Sequence, residues 1–292
     1  MKPLLKWVGG KTQILEKVLE KFPNKIVNYH EPFVGGGSVL LGVLNSKKVK
    51  IEGTINVYDL NENLINFYNI IKTKPNEFVE MWKTLINDYN ELPIETKNVN
   101  RKSETLNEAK LCRENYYYWC RKQFNDFKSE KKIELAVYFL FLNKTCFRGL
   151  YRVGPNGFNV PYGHYKTKIK ITEHQILEFS QAISTVNFAV SDFSNLIVEN
   201  PDDFVYFDPP YVPETKKSFV GYQLGGFSQE QHERLFVICR SISCKFLLSN
   251  SDTDLVKDSF PINEFNVTTL EVRRAINSKN PSSKTNELLV CN

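Results

Sequence analysis

Residues 29–40 of the chain are Tyr29-His30-Glu31-Pro32-Phe33-Val34-Gly35-Gly36-Gly37-Ser38-Val39-Leu40. This order predicts a strand, a glycine loop and a helix, with Ser38 near the helix cap and an apolar run after it. Three successive glycines let a backbone approach a ligand closely. The loop is not a strict dinucleotide fingerprint, because Leu40 stands where that pattern requires glycine. Leu5 likewise breaks the phosphate-loop pattern that would end at Lys11-Thr12, so both near misses argue against NAD and against a nucleoside triphosphate.

A second predicted strand, Thr54–Tyr58, ends beside Asp59, roughly twenty residues after the glycine loop. In nucleotide-binding α/β units, an acid at this place hydrogen-bonds ribose hydroxyls. The alternative is that Asp59, with Asn61 nearby, caps a helix predicted over 61–71.

A third signal is the run Asp208-Pro209-Pro210-Tyr211, which follows the apolar strand Phe204–Phe207. The two prolines have fixed φ angles and no N–H, so they leave carbonyl acceptors without donors. A carboxylate and a carbonyl can accept the two hydrogens of an amino group on a planar base, and the tyrosine ring can stack on that base. The alternative is a strand end stiffened by prolines.

The alternation of elements predicts one α/β domain with an insertion. Residues 1–71 and 170–292 are expected to form the catalytic domain, and residues 72–169 the inserted, mainly helical recognition domain. Strands are predicted at Ile26–His30, Thr54–Tyr58, Asn187–Val190, Phe204–Phe207, Lys245–Leu248, Glu264–Val272 and Glu287–Cys291. Helices are predicted at Thr12–Lys21, Ser38–Leu44, Asn61–Ile71, Pro75–Tyr89, Glu108–Phe127, Glu130–Leu142 and Ser228–Ser241.

The segment 143–165 is glycine-rich, basic and aromatic, and Pro155-Asn156-Gly157 predicts a turn within it. Arginines there can make bidentate contacts to guanine, while lysines can hold phosphates. A solvated basic hairpin with its aromatic rings turned into the core is the alternative.

Composition sets further bounds. The chain is 41% hydrophobic and 13% aromatic, so it can bury a sizeable core, and its formal charge of +5 is compatible with DNA contact. The six cysteines form no C-x-x-C pair, which argues against a zinc site, and no metal is expected. The start lacks a long apolar signal region, and no run of about eighteen apolar residues occurs. We therefore expect a soluble protein in the cytoplasm of a bacterial or virus-infected cell.

Taken together, these stretches resemble the Dam-type DNA adenine-N6 methyltransferases, of the D12 class and alpha group. The resemblance covers nearly the whole chain in family order. It rests on Leu5–Lys11, Glu31–Ser38, Tyr58–Asn61, Asn143–Tyr165, Ser191–Phe193, Asp208–Tyr211, Leu248–Asn250 and Val272–Arg274. It implies a Rossmann-like α/β fold, S-adenosylmethionine as cofactor and double-stranded DNA as substrate.

The resemblance also implies site residues. Asp208, Pro209 and Tyr211 match the catalytic motif, with Asp208 and the Pro209 carbonyl as acceptors and Tyr211 stacked on a flipped adenine. The cofactor positions are Trp7, Lys11, Phe33, Gly35, Gly36, Gly37, Asp59, Asp192, Phe193 and Asp208. For Asp192 a helix cap is the alternative, and for Lys11 an unremarkable surface lysine.

Base contacts are implied for one set of positions and phosphate contacts for another. The first set is Lys6, Phe147, Leu150, Arg152, Pro161 and Tyr165, with Phe147 placed at the displaced base pair. Arg148 belongs with this DNA-binding set, but the family commonly has asparagine there. Arg273 and Arg274 are expected to contact phosphates, although a solvated strand edge would also suit them.

The sequence is compatible with three functions. The first is a DNA adenine-N6 methyltransferase with a short palindromic target, GATC being the best guess, either solitary or paired with a restriction endonuclease. The second is a methyltransferase for another amino group, on cytosine N4, RNA or protein. The third is a DNA-binding module without catalysis. We expect a monomer without membrane association.

Overall fold

The computed structural model describes residues 1–127, 132–213, 227–273 and 284–292. The chain forms two units. The helical unit comprises Met1–Gly10 and Asn61–Ser184, and the sheet unit comprises Lys11–Leu60 and Thr185–Asn292. The expected division into a catalytic part and a recognition part stays a prediction.

The described strands and helices are numbered here in chain order. The strands are β1 (Lys25–Ile26), β2 (Tyr29–Glu31), β3 (Lys50–Ile51), β4 (Ile55–Asp59), β5 (Val153–Gly154), β6 (Gly157–Phe158), β7 (Val186–Val190), β8 (Phe204–Phe207), β9 (Lys245–Ser251), β10 (Asn266–Arg273) and β11 (Lys284–Cys291). The helices are α1 (Leu15–Glu20), α2 (Ser38–Leu44), α3 (Glu62–Thr73), α4 (Pro75–Glu91), α5 (Leu106–Ala109), α6 (Arg113–Asp126), α7 (Lys132–Thr145), α8 (Glu173–Ala182), α9 (Gln229–Ser241) and α10 (Asp254–Ser259). Short 3-10 turns lie at Lys11–Gln13, Phe147–Gly149 and Phe193–Asn195.

The main sheet of the sheet unit has the strand order β10-β11-β9-β8-β2-β4-β7 among the described residues. Strands β9, β8, β2, β4 and β7 are parallel, while β11 is antiparallel to both β9 and β10. All four residues of β8 are buried, as expected for a parallel strand covered on both faces. The predicted α/β class, with a mostly parallel sheet, is confirmed.

Apolar side chains from the central strands and α9 form the core of the sheet unit. Phe207, Phe246 and Leu248 are each at most 1% exposed, and they pack in one cluster with Phe236 and Val290. Helix α9 begins at a capping box in which Ser228 and Gln231 satisfy each other's backbone N–H groups. The core therefore fixes β8 and β9, whose carboxyl ends carry candidate site residues.

Helix α7 is the centre of the helical unit. Its residues Val137, Phe139, Leu140, Phe141 and Leu142 are at most 2% exposed. The helix packs on α3, α4 and α6, and rings from those helices surround it. A helix that is buried on all sides needs no polar face, which explains the nearly continuous apolar run in its sequence.

Two predicted elements are interrupted. The strand expected over 26–30 breaks at Val27 and Asn28, because the Asn28 backbone N and Nδ2 both donate to Asp203 Oδ1 at 2.9 Å. The helix expected over 108–127 divides into α5 and α6, because Cys112 is extended and caps α6 while Asn115 Nδ2 donates to the Glu108 carbonyl. Both breaks depend on side-chain hydrogen bonds of buried polar residues.

Candidate active site and basic hairpin

The parallel strands of the sheet unit bring four candidate segments to one edge. The glycine loop follows β2, Asp59 ends β4, Asp192 follows β7 and Asp208 follows β8. Because parallel strands end at the same edge, the crevice beyond their carboxyl ends is the usual ligand site of such sheets. The sequence-predicted residues of this unit are thus placed on one edge.

Asp208 pairs with a buried lysine. Lys11 Nζ lies 2.7 Å from Asp208 Oδ1, and the two side chains are 3% and 18% exposed. The Lys11 backbone N donates to Ser38 Oγ at the start of α2, which fixes the short turn that carries the lysine. Burial raises the pKa of Asp208 above its ordinary value, while Lys11 opposes that rise. Lys11 is therefore not a surface lysine.

The ring of Tyr211 is held beside this ion pair. Lys11 Nζ lies 4.8 Å from the ring centroid, a cation–π distance. The Tyr211 hydroxyl donates to Glu287 Oε2 at 2.9 Å. The next residue, Val212, donates its backbone N–H to Asn250 Oδ1 at 3.0 Å and accepts from Ser251 Oγ at 2.6 Å. The motif is thus anchored to β9 and β11.

A buried polar layer lies under the motif. Tyr29 donates to Glu31 Oε2, and the Tyr206 hydroxyl pairs with Ser249 Oγ, both at 2.8 Å. Burial raises the pKa of Glu31 well above its ordinary value; its bond from Tyr29 opposes this, and Asp208 adds to it. Burial and the negative charge of Asp208 thus both disfavour the ionised form of Glu31.

Sequence reasoning assigned no role to Tyr29, Glu31, Tyr206, Ser249 and Glu287. One available signal was an acid, Glu31, directly after a buried strand, since charged side chains are rarely buried without a purpose or a partner. Glu287 gave no comparable signal.

Two glycines of the loop adopt the left-handed backbone conformation. Gly35 and Gly37 have φ angles of 47° and 70°, a region that favours glycine. Gly37 N–H donates to the Val34 carbonyl, and Gly35 N–H donates to Asp59 Oδ2 at 3.1 Å. Asp59 thus supports the loop from β4. The cap of α3 is Asn61, which accepts from Leu64 N, so Asp59 itself is not the helix cap.

Aromatic rings gather beside the loop. Phe33 stacks on Phe193 with centroids 5.6 Å apart, and Phe227 meets both rings edge-on or tilted. Asp192 Oδ1 accepts from Ser194 N–H at 2.9 Å and so caps the 3-10 turn at Phe193. The capping alternative for Asp192 is therefore observed, while a cofactor contact of this residue stays a prediction.

In the helical unit, the first residues of the chain are joined to the predicted hairpin. Lys6 N–H donates to Asn143 Oδ1 at 2.8 Å, and Asn143 Nδ2 donates back to the Lys6 carbonyl at 2.7 Å. Lys6 Nζ lies 4.6 Å from the centroid of the Tyr165 ring. These contacts bring Lys6 into one group with the predicted DNA-binding residues of segment 143–165.

The hairpin itself is short. Strands β5 and β6 pair antiparallel around the predicted turn, and Phe147 N–H donates to the Pro161 carbonyl. Tyr162 is buried and shares a hydrogen bond with Tyr89, so it faces the core as the alternative expected.

Phe147 and Arg148 lie in the 3-10 turn that follows α7. Phe147 is 44% exposed, so its ring is accessible at the surface of the helical unit. Arg148 has a φ of 58°, and its guanidinium lies 5.1 Å from the Phe147 ring centroid. A non-glycine residue in this region stores strain that commonly marks functional sites.

Arg152 is exposed and oriented by a neighbour. Its Nε donates to Asn159 Oδ1 at 2.6 Å, and its Nη2 lies 3.4 Å from the Asn159 carbonyl. Leu150 is half-buried and Pro161 is exposed. A bidentate contact to guanine requires the plane of the guanidinium to be held in a defined orientation.

Trp7 is a predicted cofactor residue, and Arg273 and Arg274 are predicted phosphate contacts. Trp7 stacks on Tyr151 with centroids 5.8 Å apart and also contacts Phe139, within the helical unit. Its predicted cofactor contact remains untested. Arg273 is the last residue of β10, and Arg274 lies outside the described residues.

Comparison with known proteins decides the class of enzyme. Residues 7–276 match the family of D12 class N6 adenine-specific DNA methyltransferases. The type II methyltransferase M.MjaIII of Methanocaldococcus jannaschii is 35% identical over 100% of this chain and 99% of its own length. The DNA adenine methylase of Haemophilus influenzae is 31% identical over 97% of this chain and 90% of its own. That of Escherichia coli is 32% identical over 98% and 93%.

The chain belongs to the D12 class of DNA adenine-N6 methyltransferases. Family membership confirms the resemblance and the activity of a DNA adenine-N6 methyltransferase, while the target sequence and an endonuclease partner stay predictions. It also confirms the Rossmann-like methyltransferase fold, in agreement with the mostly parallel sheet. None of the helices that the structure describes combines the length and apolarity that crossing a membrane requires.

A D12 methyltransferase implies S-adenosylmethionine as the methyl donor, and the sheet unit suits such a group. Gly35 and Gly37 lack side chains where a loop turns beyond the strands, and Asp59 adjoins that loop. The partly exposed ring of Phe33, which packs on the buried ring of Phe193, offers a flat apolar surface. The glycine loop, the carboxylate of Asp59 and the aromatic surface therefore suit a ligand with an amino-acid tail, a ribose and an aromatic base.

Gly149 provides a test of the contact between the chain start and the hairpin. Its φ is 66°, and a Cβ there would lie 2.7 Å from Lys6 Cβ. We expect Gly149→Ala to lower the free energy of unfolding by about 1–3 kcal/mol, from backbone strain and overpacking. Denaturant titration measures this. Gly10→Ala is the control, since its Cβ would meet only the Trp7 carbonyl, at 3.4 Å. Equal stability of the two variants would contradict the expectation.

Proposed function

We propose that this methyltransferase acts on a flipped-out adenine within a short palindromic duplex sequence, GATC being the first candidate. The observation that carries the proposal is the Asp208–Tyr211 motif at the carboxyl edge of the sheet, with a partly exposed carboxylate beside a fixed tyrosine ring. Adenine N6 is not reachable by an active-site pocket while the base is stacked, and extruding it costs a few kcal/mol. Stacking on Tyr211 and hydrogen bonds to Asp208 would offset that cost.

Adenine N6 is a weak nucleophile, because its lone pair is delocalised into the ring. Asp208 and the Pro209 carbonyl would accept its two hydrogens and draw the nitrogen toward a tetrahedral form. The lone pair would then point away from the ring. Bound S-adenosylmethionine supplies an electrophilic methyl group on a sulfonium sulfur. The contribution of Asp208, Pro209 and Tyr211 is positioning and electrostatic stabilisation.

Methyl transfer to N6 requires no covalent enzyme intermediate. The N6–C bond forms as the sulfur–methyl bond breaks, and the sulfonium charge moves to N6. The nitrogen then loses one proton, for which Asp208 is the nearest carboxylate in this proposal. Burial raises the pKa of Asp208, which favours proton uptake compared with an ordinary aspartate.

Sequence recognition is assigned to the hairpin and the chain start. Arg152 would contact guanine, and Lys6 and Tyr165 would make further base contacts, while Leu150 and Pro161 would pack on bases. Phe147 would fill the position that a displaced base pair leaves. The exposed Phe147 ring and the oriented Arg152 guanidinium support these roles. Arg148 differs from the asparagine common in the family, so the bases outside the central pair are the part of the target most open to change.

A restriction-modification role is also proposed. Two relatives carry the name type II methyltransferase, and both are aligned over 100% of this chain. The enzyme would then protect DNA from an endonuclease that cuts the same site. We propose that it acts as a monomer, since two adenines of a palindrome can be methylated in two separate events.

The test is expression in cells that lack DNA adenine methylation, followed by sequencing that detects N6-methyladenine. One short motif carrying the modification, absent with Asp208→Ala, is the expected result. Methylation of a different palindrome would overturn GATC alone. Methylation without sequence preference would overturn the role of the hairpin.

The pH dependence of methyl transfer tests the ion pair. We expect the single-turnover rate to fall as the pH decreases through the pKa of Asp208, because the protonated carboxyl loses acceptor strength. Lys11 opposes the rise in that pKa, so Lys11→Gln should move the acid limb to higher pH. The rate is measured against pH at saturating cofactor and DNA. A limb that stays in place, or moves to lower pH, would show that the pair does not control Asp208.

A further inference from the structure

Glu287 lies on β11, next to the motif in space but far from it in sequence. Its register partner on β9 is Ser251, and its partner on β10 is Leu270. The side chain is half-buried, and its Oε2 accepts the hydrogen bond from the Tyr211 hydroxyl. This contact joins residues 76 positions apart.

Ser251 and Glu287, which are register partners on β9 and β11, hold the Val212 backbone and the Tyr211 hydroxyl. Ser251 donates to the carbonyl of Val212, the residue after Tyr211, at 2.6 Å. Glu287, directly opposite Ser251, accepts from the far end of the ring at 2.9 Å. Asn250 adds a bond to the Val212 N–H. The backbone and the hydroxyl are thus fixed by neighbouring side chains, so the ring is held in position at both of its ends.

We propose that Glu287 is a positioning residue for methyl transfer, holding the Tyr211 ring at the place where the target adenine stacks. The inference rests on the proposed stacking role of Tyr211. A hydrogen bond to a carboxylate is stronger than one between neutral groups, so it can restrain a ring that a base must meet face to face. Small misplacements of a positioning group are costly in rate.

Glu287 also acts on Asp208 through its charge. Burial is the main cause of the raised pKa of Asp208, and Glu287 adds to it, whereas Lys11 and the Tyr211 hydroxyl oppose it. Glu31 also interacts electrostatically with Asp208. Removing the charge of Glu287 alone should therefore lower the pKa of Asp208, while removing the hydrogen bond should misplace the ring. Two substitutions separate these effects.

The experiment compares Glu287→Ala with Glu287→Gln in the full chain. Glutamine keeps an acceptor for the Tyr211 hydroxyl but carries no charge. We expect alanine to slow single-turnover methyl transfer about tenfold, with cofactor affinity unchanged. Glutamine should restore most of the rate near neutral pH and move the acid limb to lower pH. The matched control is Glu271→Ala, an exposed carboxylate on β10 that pairs with Lys284 and should leave the rate unchanged.

A double-mutant cycle connects the effect to the tyrosine. Tyr211→Phe removes the same hydrogen bond from the other side, so its combination with Glu287→Ala should be no slower than either single variant. Fluorescence of 2-aminopurine at the target position reports whether the flipped base is stacked, and it should rise in the Glu287→Ala complex. Additive losses in the cycle, or equal rates for Glu287→Ala and wild type, would overturn the positioning role.

Failure of the stacking role itself is recognisable in the same series. If Tyr211 stacks on adenine, Tyr211→Ala must be much slower than Tyr211→Phe, because only alanine removes the ring. Equal rates for these two variants would remove the basis of the proposal. Thermal denaturation of each variant separates a loss of fold from a loss of position.

Discussion

The Asp208→Ala variant is expected to lose methyl transfer while it still binds S-adenosylmethionine. Asp208 is the carboxylate at the end of β8, and its buried Oδ1 lies 2.7 Å from Lys11 Nζ. Alanine removes the acceptor that draws on the N6 hydrogens, and it offers no replacement. Losses of preorganised electrostatic groups are typically of order 10²–10³ in rate, so we expect at least that reduction.

The measurement is the single-turnover rate on a duplex with one target site, together with calorimetric titration of the cofactor. Asp208→Asn is the companion variant, because it keeps the shape and removes the charge; it too should be severely slowed. Asp202→Ala is the control, an exposed aspartate shortly before the same strand. Rates within threefold of wild type for Asp208→Ala would refute the mechanism, provided that the variant is folded.

Arg152→Ala is expected to weaken discrimination between the target and its single-base variants. A good bidentate pair contributes about 1–3 kcal/mol of discrimination against a wrong base. Asn159 orients the guanidinium by accepting from Nε through its Oδ1 and from Nη2 through its carbonyl. Lysine lacks the planar fork, so Arg152→Lys should not restore the preference.

The ratio of kcat/KM for the preferred and variant duplexes measures this effect. Lys166→Ala is the comparison, because this exposed lysine directly after segment 143–165 is expected to contact phosphate, and its loss should then lower affinity for all sequences alike. Asn159→Ala should reproduce part of the Arg152→Ala effect, because it frees the guanidinium to rotate. An unchanged ratio in Arg152→Ala would exclude this residue from base recognition.

Local signals were sufficient for several elements. The glycine loop, Ser38 near the cap and an apolar run predicted α2 with the bounds that the structure shows, although the N-cap is Gly37 and Ser38 is the first helical residue. The apolar run before Asp208 likewise predicted β8 over Phe204–Phe207. In each case the residues that form the element also carry its start and stop signals, so nothing distant is needed.

Nonlocal hydrogen bonds account for what the sequence did not predict. The break in the strand before Tyr29 depends on Asp203, which is 175 positions away from Asn28. The partner of Tyr211 on β11 and the clamp of Asn143 on Lys6 are likewise distant. Periodicity and capping patterns describe a chain segment and its solvent exposure, but they do not contain the identity of such partners.

Strand order has a consequence for how the polypeptide folds during synthesis. β11 is the last of the described strands in the chain, yet it lies between β9 and β10. While translation proceeds, β9 has an open edge that β10 cannot cover, and exposed edges invite pairing with other chains. The nascent protein would therefore expose an unpaired edge of β9 and an unsupported Tyr211 until β11 has left the ribosome. Pairing of β11 with β9 would then both support Tyr211 and cover the edge that is prone to aggregation.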